Sequence, residues 1–471
     1  MNTLLLSRLQ FALTAMFHIL WPVLTIGLSL FLVINETLWI RTRDPDYYRH
    51  VRFWSKLFIL NFGIGVATGL PLEFEFGTNW APFSRAMGGF FGNILGFEGA
   101  MAFMLEAGFL GIMLFGWRRV APKIHLFATT MVALGASLSA FWIMVANSWM
   151  QSPAGGFMRG GQFVVTSYTR AIFNPYALWS IGHMWFACLE TSLLVVGAIS
   201  AYYIRRGQAP AFFLKSLKLV IVAGLVVAPI QIFLGDGSGT TIFQYQPTKG
   251  AAIEGHWNTN PKGTPAAWAL VAWPSAREQK NLWAIKVPGL LSILATHRLT
   301  GRVLGLRAFP RRDQPPALPL LFYAFRLMVA IGFYVFGLML WSLWLWWRGR
   351  LGVEQMGHNR LWLGAWITAL PLGYLAVECG WVVREVGRQP WIVQGIMRTA
   401  QGASRLNPAV VLFSSLGYLV LYAVLFVTFV LFFRRIIRQG PDLSLTPPAF
   451  TPGTPLTVER SGSPPHPLDE P

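Results

Sequence analysis

The stretch GWVVREVGRQPW, residues 380–391, closes an apolar run that begins near Leu361. This pattern predicts the exit of a membrane helix, because a bilayer-spanning helix needs about 20 predominantly apolar residues. Arg384, Glu385 and Arg388 are unexpected there, since ionisable groups in hydrocarbon are costly and by default mark a functional site. The stretch therefore predicts a membrane protein and a candidate site together.

The spacing of Glu378, Trp381 and Glu385 places them on one face of this helix. Two carboxylates and an indole on one intramembrane face indicate a buried cofactor or a proton path. Two acids paired with arginines near a membrane surface are the alternative interpretation.

The composition of the chain is that of a multi-span membrane protein. Its 471 residues are 54% hydrophobic and only 12% charged. A formal charge of +19 could suggest nucleic-acid binding. We reject that partner, because the basic residues lie mostly in short connections between apolar runs, as topology signals do. Cys188 and Cys379 lie within apolar runs and predict neither a disulfide framework nor a metal cluster.

The predicted fold is an all-α integral membrane protein with about nine transmembrane helices. The predicted spans are 12–38, 57–72, 92–117, 126–146, 179–204, 217–234, 325–347, 361–383 and 410–433. The first run is full length and is followed by basic residues, so we expect it to remain as a helix rather than to be cleaved.

Basic residues follow every second span, which predicts an N-terminus outside and a cytoplasmic C-terminus. Residues 1–234 would then hold helices one to six, and residues 321–439 helices seven to nine. Residues 235–320 would form a long outer loop that opens with a glycine-rich run, GDGSG. Residues 440–471, rich in proline, serine and threonine, predict a disordered tail.

Two histidines, His18 and His183, fall well inside predicted spans. Their imidazoles should face the protein interior, either in interhelical hydrogen bonds or as haem ligands. Met328 begins the seventh span two residues after Arg326. Methionine can share haem iron with histidine, and arginine can pair with a haem propionate. A core-filling methionine and a snorkelling arginine are the alternatives.

Several carboxylates also fall in predicted spans. Glu98 and Glu106 are eight residues apart, a little over two turns, and Glu190 follows His183 on the fifth span. They could ligate iron, carry protons inward or serve as buried polar contacts between helices. Lys249 and Glu254 lie in the long loop, where such a pair is ordinarily solvated surface.

With these residues assembled, the chain resembles subunit I of the cytochrome bd-type quinol oxidases. The matching stretches are SRLQFALTAMFH (7–18), GVATGLPLEFEFGTNW (65–80), FEGAMAFMLE (97–106), SAFWIMVANSWMQSP (139–153), KGAAIE (249–254), FRLM (325–328) and residues 380–391. They run in order from the first predicted helix to the eighth. The short outer loop is similar to the short-loop, cyanide-insensitive branch.

The resemblance implies a haem-containing terminal oxidase subunit that oxidises quinol at the outer face and reduces O2 to water. A proton gradient would arise without pumping. His183 and Met328 would hold a low-spin haem b, with Arg326 near its propionates. His18 and Glu385 would each ligate a further haem: one a high-spin haem b, the other haem d or a haem b in its place. Which of the two His18 serves stays open.

The other implied roles are as follows: Lys249 and Glu254 at the quinol site, Glu98, Glu106 and Ser139 on a proton route from the cytoplasm, Trp381 between haems, and Arg388 beside the cofactor. The resemblance also implies a second multi-span subunit, with a small single-helix subunit as a further candidate partner. The location implied is a bacterial cytoplasmic (inner) membrane, in contact with lipid, quinol and O2.

One residue departs from the family pattern. Arg384 stands where a small residue is expected, and it would weaken iron ligation if it paired with Glu385. Neighbouring residues on a helix diverge by about 100°, so we expect Arg384 to point elsewhere. Two other functions compete with the oxidase: a dihaem membrane cytochrome b without oxygen chemistry, and a proton-coupled transporter that uses Glu98, Glu106 and Glu385.

Overall fold

The structure, a computed structural model, describes residues 2–448. Within these residues, nine helical segments are long and apolar enough to cross a membrane. This confirms the prediction of an all-α membrane protein with about nine spans.

The spans are built from eleven α-helices, two of the spans being broken into two helices each. They are α1 (Thr3–Thr42), α2 (Pro45–Gly77), α3 (Ala81–Phe97) with α4 (Met104–Phe115), α5 (Pro122–Gln151), α7 (Ala177–Arg205), α8 (Pro210–Tyr245), α11 (Leu318–Trp347), α12 (Arg360–Thr368) with α13 (Leu370–Val386), and α15 (Pro408–Gln439). A π-helical segment, Glu98–Phe103, joins α3 to α4.

The shorter elements lie in the connections. They are α6 (Tyr168–Ile172), α9 (Pro247–Ile253), α10 (Leu290–Thr296), α14 (Thr399–Gly402) and 3-10 turns at Leu306–Ala308, Arg311–Asp313 and Glu354–His358. Three antiparallel hairpins pair β1 (Gly156–Arg159) with β2 (Gln162–Val165), β3 (Trp268–Ser275) with β4 (Lys280–Val287), and β5 (Trp391–Val393) with β6 (Met397–Arg398).

The sixth span is longer than predicted. The expectation that residues 235–239 form a loop is wrong, because α8 continues through them to Tyr245. The reason is close packing against α7: a Cβ on Gly237 would lie only 2.2 Å from Cε3 of Trp179. Glycine serves here to bring two helices together, not to break one.

Residues 246–317, which we call the connecting segment, are folded and not a structureless loop. The short helix α9 follows α8 after one residue, and the β3–β4 hairpin packs on α11. Ala269 and Ala272 of β3 form a small core with Phe322 of α11. The segment therefore has fixed contacts with the membrane helices.

The start of the predicted tail is ordered against the helices. The Arg49 guanidinium donates to the Leu445 carbonyl over 3.1 Å, and the Leu445 side chain packs against the main core. The predicted disorder concerns residues 449–471 as well, and these lie outside the described residues.

The helices differ in how much of their surface this chain covers. The most apolar window of α7 is 72% buried, whereas that of α15 is only 6% buried. Helix α7 is thus central. Helix α15 presents an apolar surface that suits lipid or another membrane subunit.

Candidate functional site

His18 lies on α1 against α2 in a geometry suited to ligation. Its Nδ1 is 3.0 Å from the Thr68 hydroxyl, which itself donates to the Gly65 carbonyl over 2.9 Å. The hydroxyl must therefore accept from His18 Nδ1–H, so this contact leaves Nε2 as the unprotonated nitrogen that could bind a metal. Beside the ring, a Cβ on Gly69 would lie 3.1 Å from its Cε1.

His183 lies on α7 and is packed against another glycine. A Cβ on Gly235 of α8 would lie 3.3 Å from His183 Cε1. Within residues 2–448 the buried Nδ1 makes no full hydrogen bond, although the backbone of Gln231 lies beside it. A metal-bound histidine commonly directs its second nitrogen at such a backbone carbonyl.

Met328 and Arg326 lie near the start of α11 but face different groups. The Met328 sulfur is against α13, where a Cβ on Gly380 would lie 3.2 Å from it. Arg326 Nη2 instead donates to Glu254 over 2.5 Å and to the Ala269 carbonyl over 2.6 Å. Arg326 is therefore held in a salt bridge with the connecting segment, and it does not snorkel. Its Nη1 is buried without a partner among the described residues.

Glu385 is surrounded by hydrogen-bond donors from α5 and from the turn that follows α13. Its Oε1 accepts from Asn147 Nδ2 over 3.0 Å and from Gln151 Nε2 over 3.3 Å. Its Oε2 accepts from the Arg388 guanidinium. Each carboxylate oxygen can accept more than one bond, so these contacts orient the carboxylate and leave capacity for a metal.

Arg384 points away from Glu385, as expected. It donates to Asn147 Oδ1 and, over 3.0 Å, to the Ser180 hydroxyl. Its guanidinium carbon lies 6.0 Å from the Trp381 ring centroid. The departure from the family pattern therefore does not take the form of an ion pair with Glu385.

Lys249 and Glu254 are buried, so the alternative interpretation of a solvated surface pair does not hold. They are 2% and 3% exposed. Lys249 Nζ donates to Gln151 Oε1 over 2.6 Å. Burial lowers the pKa of Lys249 well below its usual range, and repulsion from Arg384 and Arg388 adds to this effect.

The pKa of Glu254 moves the other way. Burial raises it, and the attraction of the Arg326 guanidinium opposes the rise without cancelling it. Both ends of α9 therefore carry a buried group that is driven towards its neutral form, which suits groups that exchange protons.

Glu98, Glu106 and Ser139 come together where the π-helical segment faces α5. Ser139 Oγ donates to Glu98 Oε1 over 2.7 Å. One turn earlier on α5, a Cβ on Gly135 would lie 2.5 Å from Glu106 Cγ, so only glycine leaves room for that side chain. Eight residues make about 2.2 α-helical turns, and the wider π-helical turn brings the two acids closer to one face.

Glu378, Glu190 and Trp381 do not join these contacts. Both oxygens of Glu378 and Nε1 of Trp381 are buried without hydrogen-bond partners in the described part of the chain. Unpaired buried polar groups are costly. Glu190 is half-buried on α7, with no hydrogen bond to the groups above.

These features fit haem better than a bare metal ion. No group of three or more His, Cys, Asp or Glu side chains that could hold a metal ion occurs among residues 2–448. The glycines beside His18 and His183, together with the unpartnered Glu378 and Trp381 on α13, fit a flat prosthetic group with one or two axial ligands.

Sequence reasoning missed three polar features. Asn147 and Gln151 are amides that bind Glu385. The only sequence signal for them was polar residues at helical spacing near the C-terminal end of an apolar run. A cavity of about 390 Å³ lies between α8, α9 and α10 and is lined by His297 and Arg302. His297 Nε2 is 2.9 Å from Asp236 Oδ2, a pairing across 61 residues that no local pattern indicates.

Comparison with known proteins agrees with this geometry. The family model described as "Cytochrome bd terminal oxidase subunit I" matches residues 6–441. The chain is 35% identical to "Cytochrome bd-II ubiquinol oxidase subunit 1" of Escherichia coli, over 93% of this chain and 96% of that protein. It is 34% identical to "Cytochrome bd ubiquinol oxidase subunit 1" of Bacillus subtilis, over 94% and 95%.

A solved structure agrees as well. The fold matches a chain of the bd oxidase from Geobacillus thermodenitrificans with a TM-score of 0.85 and 31% identity, over 93% of this chain and 99% of that one. The resemblance inferred from the sequence motifs is thereby confirmed. Because the match runs almost end to end, the chain belongs to the cytochrome bd terminal oxidase subunit I family.

Proposed function

We propose that this chain is the haem-bearing subunit of a membrane oxidase that takes electrons from quinol outside and passes them to O2. The observation that carries the proposal is the position of α9. Its start is bonded through Lys249 to the Glu385 site, and Glu254, which follows it, is bonded to the helix that bears Met328. One short helix thus touches both candidate haem regions.

His183 and Met328 are the residues that would hold a low-spin haem b. Haem supplies reversible one-electron transfer when bound. With both residues bound to its iron, this haem would have no place left for O2, which suits electron transfer. Arg326 would contribute a positive charge close to this site, with its unpartnered Nη1 available to a propionate.

His18 and Glu385 would each hold a haem with a single protein ligand. The hydrogen bonds to Thr68 and to Asn147 orient these ligands. One of the two haems would be a high-spin haem b and the other haem d, or haem b in its place. Arg388, bonded to Glu385 and buried, would supply positive charge beside that cofactor, and Trp381 would lie between haems.

Quinol would be oxidised where the connecting segment meets the membrane helices. Quinol loses two electrons and two protons, so its site needs proton acceptors that face the outer side. The lowered pKa of Lys249 favours a neutral amine that can accept a proton, and Glu254, whose pKa is raised, can accept one when it is ionised. The cavity lined by His297 lies against Pro247, which begins the same short helix, and offers room for a headgroup.

Protons for water formation would arrive from the cytoplasm past Glu106, Glu98 and Ser139. O2 takes up four electrons and four protons to give two molecules of water. Proton release outside and uptake inside separate charge across the membrane without a pump. This scheme requires the N-terminus outside and the C-terminus inside, as the basic connections predict.

The subunit number in the relatives' names supports a partner chain, and the exposed apolar face of α15 is a surface that it could cover. We infer a second multi-span subunit, with a small single-helix subunit as a further candidate. The location inferred is the bacterial inner membrane.

The test is a dithionite-reduced minus oxidised spectrum of the purified complex, with and without carbon monoxide. Low-spin b bands together with a carbon monoxide-sensitive high-spin signal are expected. A far-red chlorin band would identify haem d, and its absence would indicate haem b in that place. Haem without any carbon monoxide response would favour the dihaem cytochrome. A colourless folded protein that consumes no oxygen would favour the transporter.

A further inference from the structure

Gln151, the last residue of α5, connects the start of α9 to Glu385. Its side chain is fully buried. Gln151 Oε1 accepts from Lys249 Nζ over 2.6 Å, and Gln151 Nε2 donates to Glu385 Oε1 over 3.3 Å. A single amide thus joins a candidate quinol-site residue to a candidate haem ligand.

The surroundings permit only one orientation of this amide. Gln246 Nε2 donates to the same Oε1 over 3.1 Å and to the Gln151 carbonyl over 2.9 Å. If the amide were flipped, its NH2 group would face the donors of Lys249 and Gln246, and its oxygen would face the Glu385 carboxylate. The network therefore fixes Oε1 towards α9 and the N–H towards Glu385.

This orientation gives the contact an electrostatic direction. The Lys249 donor at Oε1 polarises the amide and strengthens the bond that its N–H donates at the other end, and this effect grows when Lys249 takes up a proton. A stronger bond to Glu385 withdraws electron density from that carboxylate. A change at Lys249 would therefore alter the electron density of the Glu385 carboxylate, although the two side chains do not form a hydrogen bond with each other.

We propose that Gln151 is a positioning residue that transmits the state of the Lys249 end of the quinol site to the haem held by Glu385. The inference rests on the proposed function. It adds that the quinol site and the haem held by Glu385 are coupled through one hydrogen-bonded amide, and not only through the electron path.

The test is a double-mutant cycle on the midpoint potential of the haem held by Glu385, identified as the haem signal that Glu385→Ala removes. The four proteins are wild type, Lys249→Met, Gln151→Leu and the double variant, each as the assembled complex. Lys249→Met is expected to shift the potential downward, because the donor that polarises the Gln151 amide is lost. In the Gln151→Leu background the shift should fall to less than half.

Asn147→Leu is the matched control, since Asn147 also donates to Glu385, whereas the hydrogen bond of Lys249 goes to Gln151. In that background the Lys249→Met shift should keep its full size. If Gln151→Leu loses haem, Gln151→Asn, whose shorter amide cannot span both partners, is measured in its place.

An equal Lys249→Met shift in all backgrounds would show that the coupling is through space, and would overturn the role of Gln151. No shift in any background would overturn the coupling itself. Both results differ from failure of the proposed function, in which the wild-type complex has no carbon monoxide-binding haem at all.

Discussion

Arg326 and Glu254 form a buried salt bridge of 2.5 Å between a membrane helix and the connecting segment. Arg326 also bonds to the Ala269 carbonyl and lies over the Trp268 ring, 4.7 Å from its centroid. The bridge therefore fixes α9 and the β3–β4 hairpin on the turn of α11 that precedes Met328. A quinol-site candidate and a haem-site candidate are parts of one rigid contact.

This contact predicts the pH dependence of quinol oxidation. Glu254 accepts a proton only when it is ionised, and burial raises its pKa. The rate should therefore rise with pH, with its rising limb at higher pH than an exposed glutamate would give. Arg326→Gln removes the charge that opposes the rise, so the limb should move to still higher pH. Initial rates over a pH series, at constant haem content, measure this.

The raised pKa of Glu254 also determines how this group changes the stability of the protein with pH. The folded protein binds the Glu254 proton more tightly than the unfolded chain does, so this group favours folding at low pH and disfavours it as pH rises through the raised pKa. In the rate measurements, a rising limb of the pH profile that moves to lower pH in Arg326→Gln would contradict the raised pKa of Glu254.

The low-spin haem assignment depends on Met328. Met328→Leu should convert that haem to a high-spin form that binds carbon monoxide, because one axial ligand is lost. Met339→Leu is the matched control: Met339 is buried on the same helix and its sulfur also faces a glycine, Gly224. Reduced spectra with carbon monoxide separate the two variants. Unchanged low-spin bands in Met328→Leu would remove Met328 from the ligand set.

The glycine beside His18 provides a test of the second haem position. Gly69→Ala would place a methyl group about 3.1 Å from the imidazole, forcing the ring to move. We expect reduced haem content or a shifted Soret band, measured by absorbance and pyridine haemochrome. Gly63→Ala on the same helix meets nothing within 4 Å and should behave as wild type. Equal spectra for both variants would argue against a haem at His18.

The proton route predicts that Glu106→Gln slows oxygen consumption. Removing a positioned proton-transfer group typically costs about 100-fold or more, and we expect at least about tenfold here if water partly replaces it. Ser139→Ala, which removes one hydrogen bond to Glu98, should have a smaller effect. Glu354→Gln, at an exposed site, is the control. Normal turnover in Glu106→Gln, measured with an oxygen electrode, would remove this residue from the route.

A buried pair away from the site tests the packing of the bundle. Glu36 accepts from Thr129 Oγ1 over 2.7 Å and is bonded over 2.7 Å to His125 Nδ1. Glu36→Ala should lower the free energy of unfolding by about 3–5 kcal/mol, because it leaves buried partners unpaired. Glu278→Ala, from an exposed pair with Lys280, should change it by less than about 1 kcal/mol. Unfolding measured in mixed micelles compares the two variants. Equal losses of stability would contradict the claim that the buried pair contributes more.

The sequence alone determined the class of the protein and the identity of its chemical groups. Long apolar runs require membrane helices, because backbone polar groups must be satisfied within the segment in lipid. Charged and imidazole groups inside those runs, such as Glu385 and His183, are costly enough to mark sites by their presence alone.

Tertiary structure decided which of these groups meet. The Glu254–Arg326 and Lys249–Gln151 contacts join residues 72 and 98 positions apart, and helical periodicity relates only positions within one element. The local sequence likewise did not predict that residues 235–239 are helical, because this depends on Trp179 filling the space that Gly237 leaves. Local pattern specifies helices and costly groups, while packing between helices specifies partners, burial and therefore proton affinity.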